Sequence, residues 1–483
     1  MNAQSRAPST LNIVSLNCFG LKYISGFRKE RLAEIGRRLA SAHPVPEIVG
    51  LQECWTQEDY NSIREATKQI LPSAKFYYSG IFGGGLAILS KWPIEESSMA
   101  RYPLNGRPTA FFRGDWFVGK GVACARVRIG PLSTDVIEVF CTHLHAPYES
   151  GPNDSYICHR TAQAWEIAKL MRGAVERGHL VIGLGDFNML PLSLAHQLIT
   201  AHAPVVDAWR VLHPDSSIGP ANSEVERKRG REMPTASYNL AENGTASDGV
   251  LNTWRWSKAE QKRLFKGESI TVSSDTPDPK AKRLDYIFVG KGAPTSDRSE
   301  SNWRIKDIKV GMTERHPTIG CSLSDHFSME ATLSRSDEPS IITNQDICAG
   351  TRNANAKYCD KKPLPISAYD TILSMITNYT YRELRQRRFR ISNFFVSIVV
   401  AIGCLIAVWW SPRPFVSFLL MLLSTLGFGA GVLDGLIGGL FINSELRALR
   451  EFEWEIQNAK ERAQRMVEGK QEVSEKESGG AGA

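Results

Sequence analysis

The chain has no Cys-x-x-Cys pair. Its nine cysteines fall at spacings that suggest neither a disulfide framework nor a thiolate zinc site. Cys18, Cys54, Cys124 and Cys141 lie inside apolar, strand-like runs. A reduced thiol packs there as a small hydrophobe, which suits a reducing, cytosol-facing compartment. The N-terminal stretch MNAQSRAPST has no apolar core and runs straight into NIVSLNC, so no secretory leader is expected. A GxxxxGK[ST] phosphate loop is missing too. Residues 114–121 read GDWFVGKG, with a glycine after Lys120 and a strand-like run following, which argues against nucleotide binding of that kind. Low complexity is confined to the tail. The 58 basic and 51 acidic side chains leave a charge of +7, which suits an anionic membrane surface or nucleic acid without choosing between them.

What is present suggests more than one unit, since 483 residues exceed one ordinary core. Residues 1–10 are expected to be flexible. Over residues 11–335 strand-like and helix-like patterns alternate. Strands are predicted at 12–17, 47–52, 86–90, 122–129, 136–141, 179–184, 284–289 and 327–333. Leu32, Ile35 and Leu39 recur at helical spacing within 27–42, with arginines on the other face. Trp165, Ala168 and Met171 recur likewise within 156–176. Strand patterns follow one another directly from 121 to 142. This favours a mixed sheet, and two stacked sheets flanked by helices. Residues 211–282 are polar and read as a long surface excursion, with 251–256 as one ordered piece. Residues 336–380 read as a linker.

The C-terminal part is different. Residues 391–410 carry no charge, and 415–442 are interrupted only by Asp434. Each run is long enough to cross a hydrocarbon core of roughly 30 Å, and the link SPRP between them makes a tight hairpin. Arg382, Arg385, Arg387, Arg388 and Arg390 form a basic cluster at 381–390 before the first run. Arg447 and Arg450 follow the second, and only Arg413 lies in the link. The positive-inside rule puts both flanks in the cytosol. Asp434 lies in a glycine-rich stretch and is expected to face protein or water. The tail, 443–483, is charged.

The chemistry sits at strand ends. Glu53 closes EIVGLQE, where a carboxylate facing a cleft suits Mg2+. Asn17 ends the first strand and can donate to a phosphate or help hold the cation. Asp186 and Asn188, two apart in GDFN, point to one side; together they can orient a water and hold a phosphoryl oxygen. In SDH, His326 is the candidate general base, since an imidazole near pKa 6.5 accepts a proton from water at neutral pH. Asp325 or Asp186 is its expected orienting partner, and Asp285 in RLDYIFV a supporting acceptor. His143 and His145 in THLHA share a side, and His143 is the better phosphate donor. Asp115 beside Lys120 suggests a pair that sets Lys120 against a substrate phosphate. His159 and Arg160 open a helix and are weaker candidates.

Asn17, Glu53, His143, Asp186/Asn188 and Asp325/His326, in that order, resemble the endonuclease/exonuclease/phosphatase superfamily. More narrowly, GDWFVGKG, THLHAPY and the apolar pair behind an arginine cluster resemble the Mg2+-dependent neutral sphingomyelinases and fungal inositol phosphosphingolipid phospholipases C. The resemblance implies an α/β fold, a four-layer α/β sandwich followed by a C-terminal transmembrane helical hairpin. It implies Mg2+ at Glu53, with Asn17 and Asp325 nearby, His326 as base, phosphate contacts from His143 and Asn188, and activity tied to Lys120 and Asp115. Sphingolipid substrate, anionic phospholipid as activator and membrane as partner follow, with no nucleic acid expected. An endoplasmic reticulum or mitochondrial membrane is the expected location. A nuclease, an inositol-phosphate phosphatase on the same fold and a non-catalytic membrane adaptor are the alternatives.

Overall fold

The computed structural model of the chain describes residues 7–132, 135–149, 154–292, 303–335 and 364–479. The segment 336–363, most of the expected linker, and residues 1–6 lie outside these. Two compact units are present. The first comprises Met1–Tyr102, Phe117–Tyr156 and Gln163–Pro363; the second comprises Pro103–Trp116, Ile157–Ala162 and Leu364–Ala483.

Twelve strands among the described residues build the first unit: β1 (Thr10–Asn17), β2 (Ile48–Gln52), β3 (Ser73–Tyr77), β4 (Leu86–Ser90), β5 (Ile94–Arg101), β6 (Gly121–Arg128), β7 (Val136–His143), β8 (Leu180–Asp186), β9 (Val206–Asp207), β10 (Asp285–Gly290), β11 (Trp303–Gly311) and β12 (Ser328–Arg335). They form two six-stranded sheets, ordered β11-β12-β1-β2-β4-β3 and β5-β6-β7-β8-β10-β9. β1 and β2 run parallel, as do β7 and β8, and the other pairs are antiparallel. The mixed sheet read from adjacent strand patterns is therefore observed.

Alternation along the strands explains the layers. Leu11, Ile13, Ile48, Leu86 and Ile88 of the first sheet meet Val127, Ile137, Val139, Ile182, Leu184 and Ile287 of the second in one buried core. The intervening residues, Val14, Leu16, Val49, Leu51, Ala87 and Leu89, pack with Leu32, Ile35, Leu39 and Ile63 of the helices Arg28–Ala40 and Gln57–Thr67. Gly50 of β2 permits close approach of the sheets, because a Cβ there would come 1.9 Å from Leu184 Cδ1. Not every arginine of Arg28–Ala40 faces water. Arg31 is fully buried and donates to the carbonyls of Cys18, Phe19, Gly26 and Leu323. The polar face was therefore misread at Arg31. Its guanidinium satisfies four backbone acceptors that a hydrophobe would have left unpaired.

The polar stretch 211–282 is not a loose excursion. Asn239, Asn243, Ser247, Asn252, Thr253, Gln261 and Asp278 in it are buried. They are held by hydrogen bonds, including Asn252 Nδ2 to Ser324 O (3.0 Å) and Gln261 Nε2 to Trp254 O (3.0 Å). Hydropathy alone reads such a hydrogen-bonded polar core as surface.

In the second unit, the helix Ile366–Ala407 begins inside the segment read as linker and continues through the first apolar run. The helix Pro414–Leu436 contains most of the second run, and Ile442–Gly479 forms the charged tail. Two of the helices are long and apolar enough to cross a membrane. Asp434 does not stand alone. It pairs with Arg390 and accepts from Asn393 Nδ2 at 2.6 Å. The Asp434 carboxylate is thus partnered.

Candidate active site

Strand register brings the site together. β7 and β8 pair His143 with Asp186, and β8 and β10 pair Asp186 with Asp285, so three polar residues lie in one row across the second sheet. From the first sheet come Asn17 at the end of β1, Glu53 just past β2, and His326 just ahead of β12. Glu53 and Asn188 both adopt left-handed backbone, at φ 53° and 45°. For residues other than glycine this costs about 1–3 kcal/mol. The Glu53 turn is fixed by Gly20 N donating to Glu53 O and Cys54 N donating to Gly85 O, both at 3.0 Å.

The side chains converge. Asn17 Nδ2 donates to Glu53 Oε1 (3.2 Å) and to Asp186 Oδ2 (3.1 Å). Asn17 Oδ1 accepts from Phe19 N at 3.0 Å, so in this orientation the amide aligns the two carboxylates instead of offering its oxygen. His326 Nδ1 lies 2.8 Å from Asp285 Oδ2, and its Nε2 lies 3.8 Å from Asp186 Oδ2. His143 Nε2 is 3.5 Å from the same Asp186 oxygen. Asn188 donates its backbone N–H to Asp186 Oδ1 (2.9 Å) and its Nδ2 to Leu144 O (3.1 Å). Lys120 is buried and donates to the carbonyls of His143 (3.3 Å) and Leu144 (3.2 Å). Asp285, expected only as a supporting acceptor, is the residue that holds His326; neither Asp325 nor Asp186 takes Nδ1.

Charge in this cluster is out of balance in a telling way. Burial, and next the charge of Asp325, push Glu53 above its ordinary value. Burial chiefly pushes Asp186 up to about 7. Burial works against a charged His326, yet Asp285 and Asp186 raise it well above its ordinary value. Burial, then the charge of Lys120, push His143 well below. Buried carboxylates that repel one another are a setting a divalent cation relieves. Glu53 Oε2 and Asp285 Oδ1 are buried with no hydrogen-bond partner. The ligand atoms of Asp186, Asp285 and His326 also lie within 4.8 Å of one another, so the cluster contains a candidate acidic/imidazole metal site.

The remaining candidates have their own surroundings. His145 is buried, stacks on Tyr156 with centroids 4.9 Å apart, and donates its backbone N–H to Gln163 Oε1; it packs. Asp115 opens a short helix, Asp115–Val118, and it, His159 and Arg160 belong to the second compact unit. There His159 Nε2 lies 3.1 Å from Glu445 Oε1, which also accepts from Tyr379 OH at 2.7 Å. Asp325 is partly exposed, with Arg255 Nη2 3.7 Å away.

The model of the Endonuclease/Exonuclease/phosphatase family matches residues 14–326, a stretch that contains Asn17, Glu53, His143, Asp186, Asp285 and His326. The chain belongs to that family. It is 39% identical over 456 residues to "Inositol phosphosphingolipids phospholipase C" of Schizosaccharomyces pombe, covering 94% of this chain and 95% of the relative. It is 32% identical to the protein of that name in Saccharomyces cerevisiae, covering 97% and 94%. It is also 35% identical over 199 residues to "Sphingomyelin phosphodiesterase 2" of Mus musculus, covering 41% and 46%. The family resemblance drawn from the ordered motifs is borne out.

Proposed function

We propose that the chain is a membrane-anchored, phospholipase C-type phosphodiesterase. It cleaves inositol phosphosphingolipids, sphingomyelin or both into ceramide and a phosphorylated head group. The observation that carries this reading is the meeting of half-buried Glu53 with buried Asp186, Asp285 and His326 from two sheets in one cluster, with His326 flanked by carboxylates. The names of the relatives supply the lipid class.

His326 takes a proton from water at Nε2, while Asp285 fixes the ring and the tautomer through Nδ1. The water attacks phosphorus in line with the bond to ceramide. His143, held neutral by burial beside Lys120, donates an N–H to a non-bridging oxygen without adding charge. Asn188 supplies a second donor, and Lys120 stabilises the added negative charge. Glu53 and Asp325 would hold Mg2+. Bound there, the cation would supply positive charge that offsets the added negative charge and would oppose protonation of His326.

The apolar helices anchor this centre to a bilayer of the endoplasmic reticulum or mitochondrion, with both flanks cytosolic. Arg382, Arg385, Arg387 and Arg388 attract anionic phospholipid. The test is release of a phosphorylated head group by the purified full chain with Mg2+ and anionic lipid. Wild type is expected to turn over, and His326→Ala, with its fold intact, to fall by at least about a thousandfold. A wild-type rate in that variant rejects the base assignment.

A further inference from the structure

The polar segment 211–282 reaches the catalytic histidine. Ser247 forms a two-residue bridge with Lys282, N–H to O in both directions at 3.1 and 2.8 Å, and a second bridge with His326. Ala246 O accepts from Phe327 N at 2.8 Å. The next residue, Asp248, is held in left-handed backbone at φ 62°. Its carboxylate is shared by two cations: Arg255 Nε at 2.7 Å on Oδ1 and Lys282 Nζ at 2.7 Å on Oδ2. Arg255 continues to Asp325 at 3.7 Å. Burial works against the Asp248 charge, yet Arg255 and Lys282 hold it below its ordinary value. Arg255 and Lys282 are each about a third exposed, at 39% and 34%, so both side chains reach solvent. The buried hydroxyls of Thr245 and Ser247 have no hydrogen-bond partner.

None of this is needed to move a proton or hold a phosphoryl oxygen. It is a set of alternating charges, Lys282, Asp248, Arg255 and Asp325, fastened beside the base. In an in-line displacement the attacking water and the departing ceramide lie on opposite sides of phosphorus. His326 marks the water's side, so residues beside it meet the polar part of the substrate and not the lipid.

We propose that Asp248, Arg255 and Lys282 form a head-group subsite that selects a polyol phosphate of the inositol type over a quaternary ammonium. Vicinal hydroxyls both donate and accept, matching a carboxylate flanked by guanidinium and ammonium. A trimethylammonium group offers no hydrogen bond to these side chains and is bound elsewhere by aromatic faces. This inference rests on the phosphodiesterase reading above and refines its substrate.

Lys282 is the residue to change, because its ammonium pairs with Asp248, whereas Arg255 also reaches Asp325. The full chain and Lys282→Gln would be assayed with Mg2+ in mixed micelles on inositol phosphoceramide and on sphingomyelin. The ratio of the two kcat/KM values is expected to shift about tenfold or more toward sphingomyelin in the variant. Binding of myo-inositol 1-phosphate and of phosphocholine, followed by titration calorimetry, reads the subsite without turnover. Wild type is expected to prefer the inositol phosphate, and the variant to lose most of that preference. An unchanged ratio, an equal fall on both substrates, or a wild type that binds the two phosphates alike would overturn the subsite. Absence of turnover on either lipid, with the calorimetric preference intact, would instead count against the catalytic reading.

Discussion

His326 lies between two carboxylates, and each has a separable task. Asp285 fixes one ring nitrogen at 2.8 Å, and Asp186 faces the other from 3.8 Å. Asp285→Asn keeps the shape but removes the acceptor that selects the tautomer. It is expected to lower kcat by about two to four orders of magnitude with KM within a fewfold. A wild-type kcat with a raised KM would assign Asp285 to binding instead. The individual groups were legible because Asn17, Glu53, Asp186 and His143 each close an apolar run. The identity of the histidine's partner was not. It depends on the antiparallel register that sets Asp285 against Asp186, and no local pattern carries that information.

At the scale of elements, strands with clean alternation were readable and their neighbours less so. β11 carries a register shift between Ile305 and Asp307, so its apolar period breaks midway. β5 is a partly exposed edge strand. The polar segment escaped because it is built on hydrogen bonds. One of its neighbours offers a stability test. At β9, Asp207 receives Arg283 Nη1 at 2.9 Å and His196 Nε2 at 3.0 Å, all three buried. Burial opposes the charge, but Arg283 and His196 hold Asp207 well below the usual carboxylate range. A depressed carboxylate stabilises the fold above its unfolded pKa, about 3.9, and that contribution is lost as pH falls through the folded value. Arg283→Met is therefore expected to cost about 3–5 kcal/mol at pH 7, with the gap to wild type narrowing as pH falls below about 4. Denaturant melts at pH 7 and pH 3 check this. An undiminished gap at pH 3 would mean that Arg283 acts through packing alone.

At the scale of the molecule, two kinds of sequence signal describe two kinds of structure. Ordered polar motifs mark the sheet-built unit. Long uncharged runs mark the helices, where the pairing of Arg390 with Asp434 lay beyond what hydropathy can express. The central claim is that the first unit is a divalent-dependent phosphodiester centre assembled around Glu53. The direct measurement is Mg2+ dependence, by rate and by titration calorimetry, for the full chain and for Glu53→Gln. The account predicts that wild type is silent in chelator and recovers with Mg2+. Glu53→Gln should need at least about tenfold more Mg2+ and stay far below the wild-type rate. Wild-type turnover in chelator, or a Glu53→Gln variant that matches wild type at every Mg2+ concentration, would contradict it.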